Sequence, residues 1–208
     1  KSVCCRLGIQ CNFLKTVLSS EVANMSGNRS IIALLGLRGC GKSSIAELLG
    51  NHGYETASFA DPIRKLAGLC DPERINDRGL LLEMGQFLRM CDPQFFLRSM
   101  ANKLDSTKAP FVIDDVRFPR EYDWLKRKGA LMIRLTLDEK TQLERVMERD
   151  ALTQHQAMEI ISCNDEGRLK DCHADLSLVS EGDFQELASK IISHVECQSQ
   201  DEHHRSVV

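Results

Sequence analysis

The sequence predicts an α/β fold, a five-stranded parallel sheet flanked by helices with a small helical lid. Three observations predict it. Short apolar runs alternate with amphipathic stretches through the body of the chain, a pattern that places a parallel sheet between helical layers. The first run ends in a glycine-rich turn that opens a helix. Acidic turns follow the second and third runs, at the carboxyl ends of strands, where open parallel sheets bind ligands.

The elements follow in order. Ile31 to Leu35 is a continuous apolar run broken by Gly36, which reads as a buried strand. Ser43 to Leu49 carries Ile45, Leu48 and Leu49 at helical spacing. Tyr54 to Ser58 is a second strand, and Asp61-Pro62 opens a helix with proline in its first turn. Residues 79–90 and 93–104 read as helices, the second opened by Asp92-Pro93. Phe111 to Ile113, Leu131 to Leu135 and Leu176 to Val179 complete the strands. Helical patterns occupy 120–128, 139–150, 154–162 and 183–195.

Composition excludes several classes. Of 208 residues, 42% are hydrophobic and 27% charged, enough apolar side chain to offset chain ordering. A formal net charge of −3 supplies no basic excess for a nucleic-acid polymer. No apolar run approaches the length of a membrane span, so stable membrane insertion is not expected. The nine cysteines are scattered without a C-x-x-C pair, the usage of reduced thiols in a cytoplasmic protein. Residues 1–28 read as a disordered extension, with a transit peptide or palmitoylated anchor as the alternative. Residues 29–196 form the one expected domain, with a lid at about 145–172, and 197–208 a polar tail. Monomer and homodimer both remain open.

Gly36-Leu37-Arg38-Gly39-Cys40-Gly41-Lys42-Ser43 fits the phosphate-loop pattern G-x-x-x-x-G-K-S/T, between a predicted strand and a predicted helix. Gly36, Gly39 and Gly41 let backbone N–H groups turn inward around phosphate oxygens, with Arg38, Cys40 and Ser44 in the same cradle. Lys42 is placed to reach the β- and γ-phosphates, and the Ser43 hydroxyl to ligate Mg2+. ATP and Mg2+ are therefore the expected cofactors. Asn102-Lys103-Leu104-Asp105 spells a guanine-reading motif, but it falls in a predicted helix and no D-x-x-G precedes it. A nucleotide-binding switch without transfer is the alternative that it supports.

Two acidic turns point to a transferase. Phe59 to Lys65 follows the second strand and Asp114 to Glu121 the third. Parallel strands would bring Asp61, Arg64, Asp115 and Arg117 beside the phosphate loop. A carboxylate there can hold the magnesium water shell, and a guanidinium can clamp an acceptor phosphate. Asp61 also reads as a helix cap, and Arg117-Phe118-Pro119 as a surface turn.

Ser58-Phe59-Ala60-Asp61-Pro62 and Asp115-Val116-Arg117-Phe118-Pro119, with Met84-Gly85 between them, resemble phage-type deoxynucleoside monophosphate kinases. The likeness spans about residues 29–195. It implies the nucleoside monophosphate kinase fold with a mobile lid, and a (deoxy)nucleoside monophosphate as small-molecule acceptor. By residue, it implies that Asp61 and Arg64 bind the monophosphate. Asp115 would stand at the magnesium side and Arg117 near the transferred or acceptor phosphate. The C-terminal third is similar to dephospho-coenzyme A kinases at Leu152 to Ile161 and Ala174-Asp175-Leu176. Asp92-Pro93-Gln94-Phe95-Phe96 resembles the animal type of phosphomevalonate kinase. In these relatives the loop matching Ser180-Glu181-Gly182 contacts adenine, so Gly182 joins the expected cofactor site.

Arg145 and Arg149 lie four apart on the helix after Asp138, about 40° apart around its axis. Leu143, Val146 and Met147 occupy the other side. The two arginines could neutralise charge on a transferring phosphoryl group, or pair with Glu144 and Glu148 on a solvated face. Lys42, Asp61, Arg117, Arg145 and Arg149 are thus the expected catalytic set.

Overall fold

The structure, a computed structural model, describes residues 30–162 and 165–205. The expected extension at 1–28 lies outside the described residues. Five strands form one sheet in the order β2-β3-β1-β4-β5, and every pairing is parallel. They are β1 (Ile31–Leu35), β2 (Glu55–Ala57), β3 (Phe111–Ile113), β4 (Leu131–Thr136) and β5 (Leu176–Val179). The helices are α1 (Lys42–Gly50), α2 (Asp61–Cys70), α3 (Arg78–Cys91), α4 (Phe95–Asp105), α5 (Pro119–Arg127), α6 (Glu139–Asp150), α7 (Gln154–Ser162) and α8 (Phe184–Arg205).

All of β1 is buried, as a central strand covered on both faces must be. Its side chains alternate. Ile31, Ala33 and Leu35 join Phe59, Phe96, Met100 and Leu125 in one core. Ile32 and Leu34 join Ile45, Leu49 and Ile191 of α1 and α8 in the other. The strand period of two thus divides one apolar run between two layers. At the edge, β5 alternates half-buried and exposed positions.

Several element ends differ from the expected ones. β2 stops at Ala57 because Ser58 leaves the sheet: its N–H donates to Asp61 Oδ2 at 3.1 Å. α4 begins at Phe95, since Asp92 Oδ1 accepts from the Gln94 N–H at 2.9 Å and holds Asp92-Pro93 in a turn. α8 continues to Arg205, beyond the expected end at 195. The added residues are polar, and no glycine or proline among them stops the helix. The expected lid boundary near residue 145 falls inside α6, whose N-cap Asp138 accepts from Thr141 N–H at 3.0 Å. The chain reverses instead at Ala151, where φ is 50°. Among the described residues no helix is long and apolar enough to cross a membrane.

Asp175 joins the last strand to the sheet. Its N–H donates to Met132 O at 2.7 Å and its Oδ2 accepts from Met132 N–H at 2.7 Å. Lys126 Nζ adds a contact at 2.9 Å to Oδ1. Asp175→Ala strands the Met132 N–H and is expected to cost about 1–3 kcal/mol in urea unfolding. Asp175→Asn, which keeps an acceptor, should cost less in the same measurement.

Candidate active site

β1 ends at Leu35 and the chain turns through Gly36, Gly39 and Gly41, whose φ values are 143°, 85° and 81°. A Cβ on Gly36 would lie 2.4 Å from Leu135 O, and one on Gly41 2.4 Å from Phe184 Cε1. Glycine is required at both for conformation and for space. The turn delivers the N-terminus of α1, the positive end of its dipole, to the carboxyl end of the sheet. Lys42 opens that helix, and its ammonium donates to Gly36 O at 2.6 Å and Leu37 O at 3.1 Å. Cys40 is buried beneath the turn, its Sγ 3.9 Å from Lys42 Nζ.

A cavity of about 670 Å3 lies over this turn. Its loop wall holds Arg38, Gly39, Gly41, Lys42, Ser43 and Ser44. Arg64, Arg78 and Arg117 enter it from the segments that follow β2 and β3. Arg145 and Arg149 enter from α6, which follows β4. The strand order puts β3 and β4 on opposite sides of β1, so guanidinium groups converge on the phosphate loop from both sides.

The aspartate pair after β3 divides its work. Asp114 accepts a hydrogen bond from Ser43 Oγ at 2.8 Å. Asp115 turns inward: its Oδ2 accepts from Ser58 Oγ at 2.5 Å and Ala60 N–H at 3.0 Å, its Oδ1 from Phe59 N–H at 2.9 Å. Burial pushes the Asp115 carboxyl above its usual range, against the Ser58 bond, and the Asp114 charge adds to the rise. The sequence placed Asp115 at the magnesium side. In the structure it is Asp114 that meets Ser43, because three donors from the end of β2 hold Asp115 in the floor.

Asp61 is also placed differently. It accepts from Ser58 N–H and lies 3.5 Å from Arg64 Nη1, and it is not among the residues that line the cavity. Arg64 itself reaches Ser58 Oγ at 2.9 Å. On the other side, Arg149 pairs with Asp150 at 2.9 Å. Arg38 Nη2 reaches the same carboxylate at 2.5 Å. The bond to Arg149, helped by Arg38, holds the Asp150 carboxyl down at about 2. Arg145 lies 5.3 Å over the Phe184 ring and 3.5 Å from Ser180 Oγ. Gly182 has φ 77° and open space around it, and it too lies off the cavity wall.

Sequence reasoning missed Arg78, Asp114, Glu148, Asp150 and Phe184 in the wall. Asp114 had a signal, the acidic doublet itself. Phe184 had a weaker one, an aromatic opening the helix after the last strand. Asn102 and Lys103 are exposed on α4, off the cavity wall, and Lys103 lies 3.9 Å from Glu55.

Behind the Arg117 turn, Glu121 is buried. Its Oε2 accepts from the N–H groups of Arg117 at 3.0 Å and Phe118 at 3.1 Å, and Arg89 Nη2 lies 3.5 Å from Oε1. Burial raises its carboxyl to about 7, with the nearby Asp115 adding to the rise and the two N–H groups and Arg89 opposing it.

Neither the protein-family models nor the curated proteins contain a match to this chain. Solved structures do resemble it. TT1252 from Thermus thermophilus superposes with a TM-score of 0.58 at 20% identity, over 82% of this chain and 97% of that one. A gluconokinase from Sinorhizobium meliloti 1021 gives 0.55 at 18% identity, over 86% and 97%. Shikimate kinase from Acinetobacter baumannii, in complex with shikimate, gives 0.51 at 17%, over 82% and 95%. At these identities the likeness shows a shared fold, the five-stranded parallel α/β architecture described above.

The Glu121 environment has a pH consequence. A carboxyl raised from 4.5 to about 7 stabilises the folded state while protonated. That contribution is complete below pH 4.5 and is lost as pH rises through about 7. Asp115, raised as well, acts with the same sign. Denaturant unfolding across this window is expected to show stability falling with pH, and Glu121→Gln to flatten the upper part of the fall.

Proposed function

We propose that the chain is a phosphotransferase that uses ATP and Mg2+ and passes the γ-phosphate to an acceptor already bearing a phosphate, a (deoxy)nucleoside monophosphate. The observation that carries this reading is the disposition of cations, with Arg64, Arg78 and Arg117 on one side of the phosphate loop and Arg145 and Arg149 on the other. One set suits the acceptor's phosphate and the other the charge on the group in transit. That gluconokinase and shikimate kinase are built on the same fold supports the reaction class.

The state of the carboxylates supports the choice of acceptor. A hydroxyl acceptor needs a group to orient it or take its proton, whereas a monophosphate is largely ionised at neutral pH. On the acceptor side Asp115 accepts three hydrogen bonds and Asp61 is held by Ser58 and Arg64. Both are engaged in structure. Arg64, Arg78 and Arg117 line the cavity on the same side.

Ser43 and Asp114 fit a hard cation. They present two oxygen ligands 2.8 Å apart at the phosphate loop, and Mg2+ takes few protein oxygens when phosphates and water complete its shell. When bound, the ion supplies charge neutralisation to the transferring phosphates. The chain itself supplies the rest. The loop N–H groups and Lys42 hold the polyphosphate, Arg145 and Arg149 offset charge as it spreads, and α6 with the segment behind it limits water.

The test is ADP formation from Mg·ATP with a panel of acceptors: each ribo- and deoxynucleoside monophosphate, dephospho-coenzyme A and phosphomevalonate. One nucleoside monophosphate is expected to stimulate strongly. Lys42→Ala should then lose about 100-fold or more in kcat. Asp114→Asn should lose about 10-fold or more and recover in part at high magnesium. Stimulation by another acceptor alone would move the substrate class. Nucleotide binding with no stimulation would favour a switch.

A further inference from the structure

Behind the cavity wall the side chain of Arg89, from α3, lies between two rings. Its guanidinium stands 4.4 Å from the Phe96 ring centre and 4.1 Å from that of Phe118. Arg168, from the 3-10 turn at Asp165–Leu169, stands 5.1 Å from the same Phe118 ring. Arg89 also approaches Glu121 Oε1 at 3.5 Å. Three separate parts of the chain therefore meet at Phe118 and Glu121: α3, the Arg117 turn and the segment after α7.

Glu121 is the group that ties them. One oxygen accepts from two successive backbone N–H groups, those of Arg117 and Phe118, and so sets the direction in which Arg117 leaves the turn. The other oxygen faces Arg89. A plain helix cap needs only the first arrangement, and an exposed residue would serve. Here the carboxylate is 6% exposed, a costly placement for a charge unless it is paired and bonded.

We propose that Glu121 is a positioning residue for the acceptor side, fixing Arg117 through its backbone and α3 through Arg89, so that acceptor binding depends on the ionised carboxylate. This rests on the phosphotransferase reading above. The charged groups facing Glu121 are Arg89 from α3 and Asp115 from the end of β3. Arg117, whose N–H it holds, belongs to its own turn, and Arg168 lies across the Phe118 ring.

Glu121→Gln separates the two functions of the side chain. The amide oxygen can still accept from Arg117 and Phe118, while Arg89 loses its counter-charge. With the best acceptor of the panel, this variant is expected to raise the acceptor KM about tenfold and leave the KM for ATP and kcat within about twofold. In the parent protein acceptor kcat/KM should rise with pH through a midpoint near 7, and Glu121→Gln should lack that limb. Arg89→Lys, which keeps the charge, should recover part of what Arg89→Met loses.

A second readout needs no turnover. In 15N-resolved NMR spectra the Arg117 and Phe118 amide protons should titrate with a midpoint near 7 and be flat in Glu121→Gln. Amides that do not titrate in the parent protein overturn the proposal. An active parent whose Glu121→Gln variant keeps both the acceptor KM and the pH profile also overturns it, leaving a structural cap only. A parent inert with every acceptor overturns the phosphotransferase reading and this proposal with it, an outcome distinct from either of those.

Discussion

Two backbone amides and a hydroxyl at the end of β2 close on the Asp115 carboxylate, and the placement of the acceptor side follows from that closure. Burying a carboxylate costs several kcal/mol unless bonds replace its water. Three donors do so here, each charge-assisted bond contributing about 1.5–3 kcal/mol. The closure locks the exit of β2 to the exit of β3. It also selects which member of the acidic doublet faces outward, since neighbouring residues leaving a strand diverge. Asp114 is left toward Ser43, and the Ser58 hydroxyl that binds Asp115 also receives Arg64. One buried carboxyl thereby orders the carboxylate that meets Ser43, a turn and an arginine.

The other side of the cavity is organised by a carboxylate of the opposite kind. Asp150 stays accessible and strongly acidic because two guanidinium groups hold it. Arg38 comes from the phosphate loop and Arg149 from α6, so Asp150 links loop and helix across solvent. Exposed pairs of this type are weak and screened by salt. The floor of the site is held by a buried carboxyl and its opposite wall by a half-buried one.

Much of this was legible in the sequence. The continuous apolar run Ile31 to Leu35, the glycine spacing before Lys42 and the alternation of strand and helix patterns predict the sheet and the glycine-rich turn without reference to tertiary contacts. Arg64, Arg117, Arg145 and Arg149 were legible as well, since parallel topology sends the segment after each strand to the same end. What was not legible depended on rotamer and depth. Nothing in Asp114-Asp115 says which carboxylate turns inward, because that is decided by donors 55 to 57 residues away. Asp61 read as a site residue because it follows the second strand at the carboxyl end of the sheet, and in the structure it bonds Ser58 and lies beside Arg64. Phe184 entered the wall through packing against Gly41, a contact that no local pattern announces.

The two buried carboxylates, Asp115 and Glu121, carry a further implication. Both are destabilised in the ionised state by burial, with Asp114 adding to the effect at Asp115 and Asp115 at Glu121, and selection for stability alone would replace them with apolar or neutral groups. Their donors show what they provide instead. Asp115 binds the turn that leads into α2, and Glu121 binds the turn that carries Arg117. Each holds a short irregular segment that has no ladder or helix of its own to fix it. On the proposed reading the arginines meet a phosphate, and groups placed for that contact cannot hang from a loose turn. On that reading the wall is braced by carboxyl groups placed behind its arginines, and the burial that costs stability is what ties the turns carrying the guanidinium groups.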